Sequence, residues 1–159
     1  VQDHGEKLYR RSLYTYWKRT VPPPNMVAFD APNRETCVVA RPSTTTPLQA
    51  LVLLNDVQFV EAARAFAERI VSHADLDADR LRWAFLECVS RPPSDAEFAV
   101  LSRALERERA HYAADQSAAR NYLAMGESPR DETIPPAEHA AWSQVATLLL
   151  NLSETVTCN

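Results

Sequence analysis

Glycine is nearly absent from this chain: two residues in 159, against 11 prolines. Tight hairpins and phosphate-cradling loops need positive φ, which glycine adopts without penalty, so this scarcity argues against hairpin-rich β folds and against a nucleotide-binding glycine loop. Cysteine is sparse as well. Cys37, Cys88 and Cys158 are too few and too far apart for a disulfide scaffold or a zinc cluster, and no Cys-x-x-Cys-His exists to attach haem. A bridge between Cys37 and Cys158 stays open, whereas Cys88 lies on an apolar helical stripe and reads as an inert buried thiol. No apolar run approaches the roughly 18 to 20 residues that cross a bilayer, since the longest are Leu51 to Leu54 and Val145 to Leu150. No membrane-spanning segment is therefore expected. A net charge of −4 offers no long-range attraction to a phosphate backbone, so nucleic acid is not an expected partner. The chain starts at Val1 with no basic segment followed by an apolar one, so no secretory signal is visible and a piece of a longer protein is expected.

What is present is a helical pattern with proline-bearing joints. A hydrophobic content of 46% with 24% charged residues suits a globular chain, and 159 residues suffice to bury roughly two-thirds of the unfolded surface in one core. The expected fold is all-α: a helical bundle over 47–159, preceded by a long proline-rich, irregular segment over 1–46, the whole forming one domain.

Thr46 can accept from free backbone N–H groups while Pro47 takes the first helical position, so a helix starts there. Its residues Leu48, Leu51, Val52, Leu53 and Leu54 leave almost no polar face, which predicts burial on all sides and an internal partner for Gln49. Asp56 caps a second helix whose Phe59, Ala63, Phe66 and Ile70 point inward, with Glu61, Arg64, Glu68 and Arg69 on the wet side. After Asp77 or Asp79 a third follows with Leu81, Ala84, Phe85, Cys88 and Val89 as its stripe. Ser94 and Glu97 form a capping box for the next, with Phe98, Leu101, Leu105 and Tyr112 inward and Glu106 to Arg109 solvated. A weaker segment spans Asp115 to Leu123. Pro135-Pro136 then opens a closing helix with Trp142, Val145, Leu149 and Leu152 on a wide apolar face.

The first third is different. Ser12 to Trp17 fits a strand or a short amphipathic helix, of which the helix is preferred. Val21-Pro22-Pro23-Pro24 reads as a stiff polyproline spacer, and 25–46 as a long loop pinned by side chains. In that loop Asp30, Arg34, Glu35 and Arg41 can pair as carboxylates and guanidiniums, with Arg10, Arg11, Lys18 and Arg19 as further cations. Two readings follow: a pocket for an anionic or sugar-like ligand, on whose ring Tyr14, Tyr16 and Trp17 could stack, or a network tying the loop to the first helix. The second is preferred.

The residues yield no catalytic motif. His4, His73, His111 and His139 have no partner at metal-ligand spacing and read as surface side chains, so no metal site is expected. Ser12, Ser43 and Ser153 lack a glycine-flanked elbow, and pairs such as Asp30 and Glu35 cannot be placed in one cleft from sequence. The sequon Asn151-Leu152-Ser153 falls inside the expected closing helix and reads as accidental.

Several blocks carry a resemblance: Phe29-Asp30-Ala31-Pro32, Thr46-Pro47-Leu48-Gln49-Ala50-Leu51, Leu53-Leu54-Asn55-Asp56 and Leu150-Asn151-Leu152-Ser153-Glu154-Thr155. Together with the stretch from Tyr9 they resemble the planctomycete-specific C-terminal domain of unknown function 1553, found in large proteins that carry cytochrome-c-like modules. The likeness covers only the C-terminal part of that domain. Thr45 stands where the family pattern has Asn, and Ser153 where it has Asp. The resemblance implies an extracytoplasmic setting, periplasmic or secreted, and upstream domains of the same polypeptide as partners. Haem, if any, belongs to those domains, and no cofactor is expected in this segment. No reaction is implied.

The expectation is a non-catalytic interaction or structural module of a multidomain protein, with the aromatic and cationic first segment as its docking face. The alternative is part of an enzyme or binding site acting on polysaccharide or another large polymer. The residues singled out for either are Asp30, Arg34, Arg41, Tyr16, Trp17 and Gln49. Whether this segment has any catalytic share is left open, with the non-catalytic reading preferred.

Overall fold

The structure, a computed structural model, describes residues 4–9, 14–18, 20–33, 35–40 and 44–157. These residues form an all-α fold: a 3₁₀ turn Gly5–Tyr9, then α1 (Pro24–Ala28), α2 (Pro47–Asn55), α3 (Val57–His73), α4 (Asp77–Val89), α5 (Asp95–Ala114), α6 (Gln116–Leu123), α7 (Pro136–Leu150) and α8 (Ser153–Val156). Among the described residues the one strand-like feature is an isolated bridge between Lys18 and Val21.

Local chemistry explains most boundaries. Thr46 accepts from the Gln49 N–H while the Gln49 side chain returns to the Thr46 N–H, a reciprocal box with Pro47 at the first helical position. Ser94 and Glu97 do the same for α5. Asp56 caps α3 through the Gln58 N–H, and Asp115 caps α6 through the Ala118 N–H. α4 ends where Ser90 turns left-handed, at φ 59°. Asp77 or Asp79 is expected from the sequence to precede this helix; Asp77 is instead its first residue and Asp79 lies inside its first turn.

The core is built on α7, which packs against α3, α5 and α6. Trp142, Val145 and Leu149 are fully buried there, against Ala67 and Ile70 from α3, Leu81 and Phe85 from α4, and Leu105 and Tyr112 from α5. The Trp142 Nε1–H donates to Glu138 at 2.7 Å, and its ring lies between the guanidiniums of Arg80 and Arg109. Arg109 also binds Asp77 and Glu138, so it belongs to a half-buried tie across α4, α5 and α7 and not to a solvated charge run. That Arg109 contact holds the Asp77 carboxyl below the usual carboxylate range.

Several expectations are overturned. α2 is not buried all round: Leu48 is 57% and Leu51 56% exposed, and Gln49 alone in this helix is buried. Among the described residues only short elements precede it, and they leave its outer side uncovered. On α3, Glu61 and Arg64 are buried because the chain after α6 folds over them. Pro24 starts the short helix α1 where the sequence suggested spacer and loop, since proline is well tolerated in a first turn. Asn151 caps the C-terminus of α7, so the sequon sits at a corner and not within the helix. For the helix expected over Ser12 to Trp17, residues 12 and 13 lie outside the described residues, and 15–17 have no helical geometry.

Candidate functional site

Among the described residues, the segment ahead of α3 contributes no side chain to the buried apolar core, which begins at Val60. It carries instead most of the exposed apolar groups: of sixteen large apolar side chains that are exposed among the described residues, eleven lie between Tyr9 and Val57. On α2, Leu48, Leu51 and Leu54 recur at three-residue steps and Val57 continues the row into α3; no charged residue interrupts Pro47–Asn55. Val27 on α1 and the adjacent Val38 and Val39 are exposed too. An uncharged apolar helix face is costly to leave in water, at about 25 cal/mol per Å².

The inner side of α2 is held by polar contacts. Asp30, left-handed at φ 55°, directs one carboxylate oxygen at the backbone N–H of Thr44 (2.8 Å), the Thr44 hydroxyl (2.7 Å) and the Gln49 amide (3.5 Å). The Thr44 contacts, led by its hydroxyl, hold the Asp30 carboxyl below its ordinary range, so it is charged at neutral pH. The Gln49 carbonyl accepts from the Thr46 N–H at 2.9 Å. Asn25 bonds Asp56 at 2.7 Å and Phe29 packs on Phe59, fastening α1 to the α2–α3 corner. These groups form a clasp that presents α2.

Among the residues singled out from sequence, the fold thus joins Asp30 with Gln49. Tyr16 is exposed and Trp17 half-buried, neither in that network, while Arg34 and Arg41 lie outside the described residues, as do Arg10, Arg11, Arg19 and Cys158. Asp30 also borders an open cleft of about 340 Å³ with Val27, Pro32, Asn33 and Val38 on its walls. Among the described residues that line it, Asp30 is the one carboxylate and there is no imidazole. Thr45 and Ser153, the two departures from the family pattern, line one niche of about 80 Å³ between α2 and α8. Among the described residues no group of three or more His, Cys, Asp or Glu could hold a metal ion.

Sequence reasoning missed a buried polar knot. Arg64 is 3% and Glu61 2% exposed. One guanidinium nitrogen donates to the carbonyls of Leu123 (2.6 Å) and Met125 (2.9 Å), the other to the carbonyl (2.6 Å) and hydroxyl (2.8 Å) of Ser128 and, at 3.5 Å, to Glu61. Glu61 accepts from the Ser128 N–H. Burial pushes the Glu61 carboxyl up, but hydrogen bonds from Ser128 and Tyr9 and the Arg64 charge outweigh it and leave it below its ordinary value. Gly126 passes so close that an added Cβ would meet Glu61 atoms at 2.7 Å, and its φ of 95° suits glycine alone. The local signals were a Glu and an Arg three apart and a distant Gly-Glu-Ser turn, which read equally well as a wet helix face and a loop.

His139 was missed in the same way. It is fully buried under α3, not on the surface. Cys88, expected to be buried, is half-buried, and burial pushes its thiol up to about 11. Cys37 is exposed.

No curated protein and no solved structure matches this chain. A family model does match residues 1–105, the segment ahead of α3 together with α3, α4 and the first half of α5; it is described as PSD1, protein of unknown function (DUF1553). That match spans well over half of the chain, which therefore belongs to the DUF1553 family.

Proposed function

We propose that this chain is a non-catalytic interaction module whose docking face is the outer side of α2 with the apolar groups of α1 and the adjoining loops. The single observation that carries this reading is the asymmetry of burial among the described residues: a closed core from Val60 onward, and ahead of it a segment with no buried apolar side chain and most of the exposed ones. The occupant is the preceding part of the same polypeptide. Two things favour it: the resemblance noted in the sequence, which implies a longer family domain continuing upstream, and the lack of charge on Pro47–Asn55, which suits a permanent partner better than a transient one. In this reading the whole is a multidomain, extracytoplasmic protein with cytochrome-c-like modules, and haem resides in those modules.

The test is a calorimetric titration of this chain with the separately produced preceding region. Two leucines that become buried contribute about 1.5 to 3 kcal/mol each, so Leu48→Asp with Leu51→Asp should weaken binding at least about 100-fold. The helical circular dichroism should stay unchanged, because neither side chain is in the core. Absence of binding, or binding that ignores the two aspartates, contradicts the proposal. The cleft beside Asp30 favours the second reading, a polymer-binding surface; a thermal shift with acidic or neutral polysaccharide fragments that vanishes in Asp30→Asn would support it.

A further inference from the structure

We infer that His139 is the acid-sensitive pin of a latch that holds the Gly5–Tyr9 turn on the bundle. His139 is fully buried on α7. Its Nε2 lies 3.4 Å from the Arg64 carbonyl oxygen and 3.5 Å from a Glu68 carboxylate oxygen, while its Nδ1 meets no hydrogen-bond partner. A neutral ring with the proton on Nε2 satisfies that nitrogen. A second proton places an N–H at Nδ1 with no acceptor, in a buried site where an unpaired donor on a cation is costlier than a bare lone pair.

The charges around the ring come from two elements. From α3, Glu68 favours the cation and Arg64 opposes it; from the connection after α6, Asp131 favours it and Arg130 opposes it. Burial is the largest influence and holds the imidazole below its ordinary value of 6.5. The sign follows: the open state binds the proton more readily, so the closed state is fully favoured above pH 6.5 and loses ground as pH falls through that value.

What opens is set by the partners. Glu68 accepts from the Asp131 N–H at 2.9 Å, and Arg64 holds the carbonyls of Leu123, Met125 and Ser128. A charged His139 competes for Glu68 and repels Arg64, loosening both grips on 123–131. That connection in turn holds the 3₁₀ turn: Glu127 accepts from the Gly5 N–H at 2.8 Å and pairs with His4 at 2.7 Å. The latch stands independently of the docking reading above.

The experiment is residue-resolved hydrogen exchange on the complete chain from pH 7.5 to 5.0, corrected for intrinsic rates. Protection of 5–9 and 124–131 should fall by up to about tenfold per pH unit below 6.5, as linkage to one proton requires, while α5 stays protected. His139→Met, of similar bulk and without a titrating ring, should abolish that fall; His4→Ala should keep it. An unchanged fall in His139→Met, its loss in His4→Ala, or parallel loss throughout α5 overturns the inference. A second readout needs no variant: the His139 ring should titrate below 6.5 by NMR, and a midpoint at or above 6.5 overturns the latch. Binding to the preceding region is measured separately, so failure of docking and failure of the latch are distinct.

Discussion

Arg64→Met should lower the unfolding free energy by about 3 to 5 kcal/mol, the range found when one partner of a buried ion pair is removed. Methionine fills much of the arginine stem's volume, so packing is largely kept and the loss is polar. Glu61 would remain as a buried carboxylate with only Ser128 and Tyr9 to stabilise it. The carbonyls of Leu123, Met125 and Ser128 would each lose a charge-assisted donor. Urea denaturation with an unchanged midpoint would refute the knot. The double variant Arg64→Met with Glu61→Leu should recover part of the loss, because the stranded carboxylate is gone. The knot also predicts acid sensitivity. Glu61 has a folded value below its unfolded one, so its contribution is present above the ordinary carboxylate range and lost as pH falls through it.

Trp142→Ala is expected to cost about 3 to 5 kcal/mol, as for other fully buried aromatic residues. The side chain is 0% exposed at the centre of α7, where α3, α4 and α5 converge. Its removal opens a cavity that a helix pinned by neighbours on several sides cannot close. It also frees Glu138 from the indole N–H and leaves Arg80 and Arg109 without the ring they cover. Trp142→Phe, which retains most of the volume, should cost clearly less. Equal denaturation midpoints for the wild type and Trp142→Ala would remove α7 from the centre of the core.

The parts of this fold that were readable in the sequence are those decided within a few residues. The caps at Thr46 and Asp56, the box at Ser94 and the restart at Pro136 all depend on groups close in the chain. The stripe of Trp142, Val145 and Leu149 was equally readable, since it states a period. Burial of polar residues was not. Glu61 and Arg64 lie inside only because Ser128, more than sixty positions on, folds over them, and His139 is enclosed only because α3 crosses it. The opposite error at α2 has the same origin. Leu48 and Leu51 demand cover, but a sequence cannot say whether that cover comes from its own fold or from elsewhere. Of the candidate site, the link between Asp30 and Gln49 rests on Thr44, a bridging residue with no signal of its own.

The most direct test of the docking account is the reactivity of a thiol placed on α2. Leu51→Cys, with Cys37 and Cys158 replaced by serine, leaves Cys88 as the other thiol, half-buried and held at about 11, hence slow. Maleimide labelling would be compared between this chain alone and the same chain with the preceding region that the docking account proposes. Fast labelling of the chain alone and at least tenfold slower labelling with that region present is the predicted result. Equal rates in the two would mean that α2 faces solvent in both, and would contradict the claim that its apolar side is an interface.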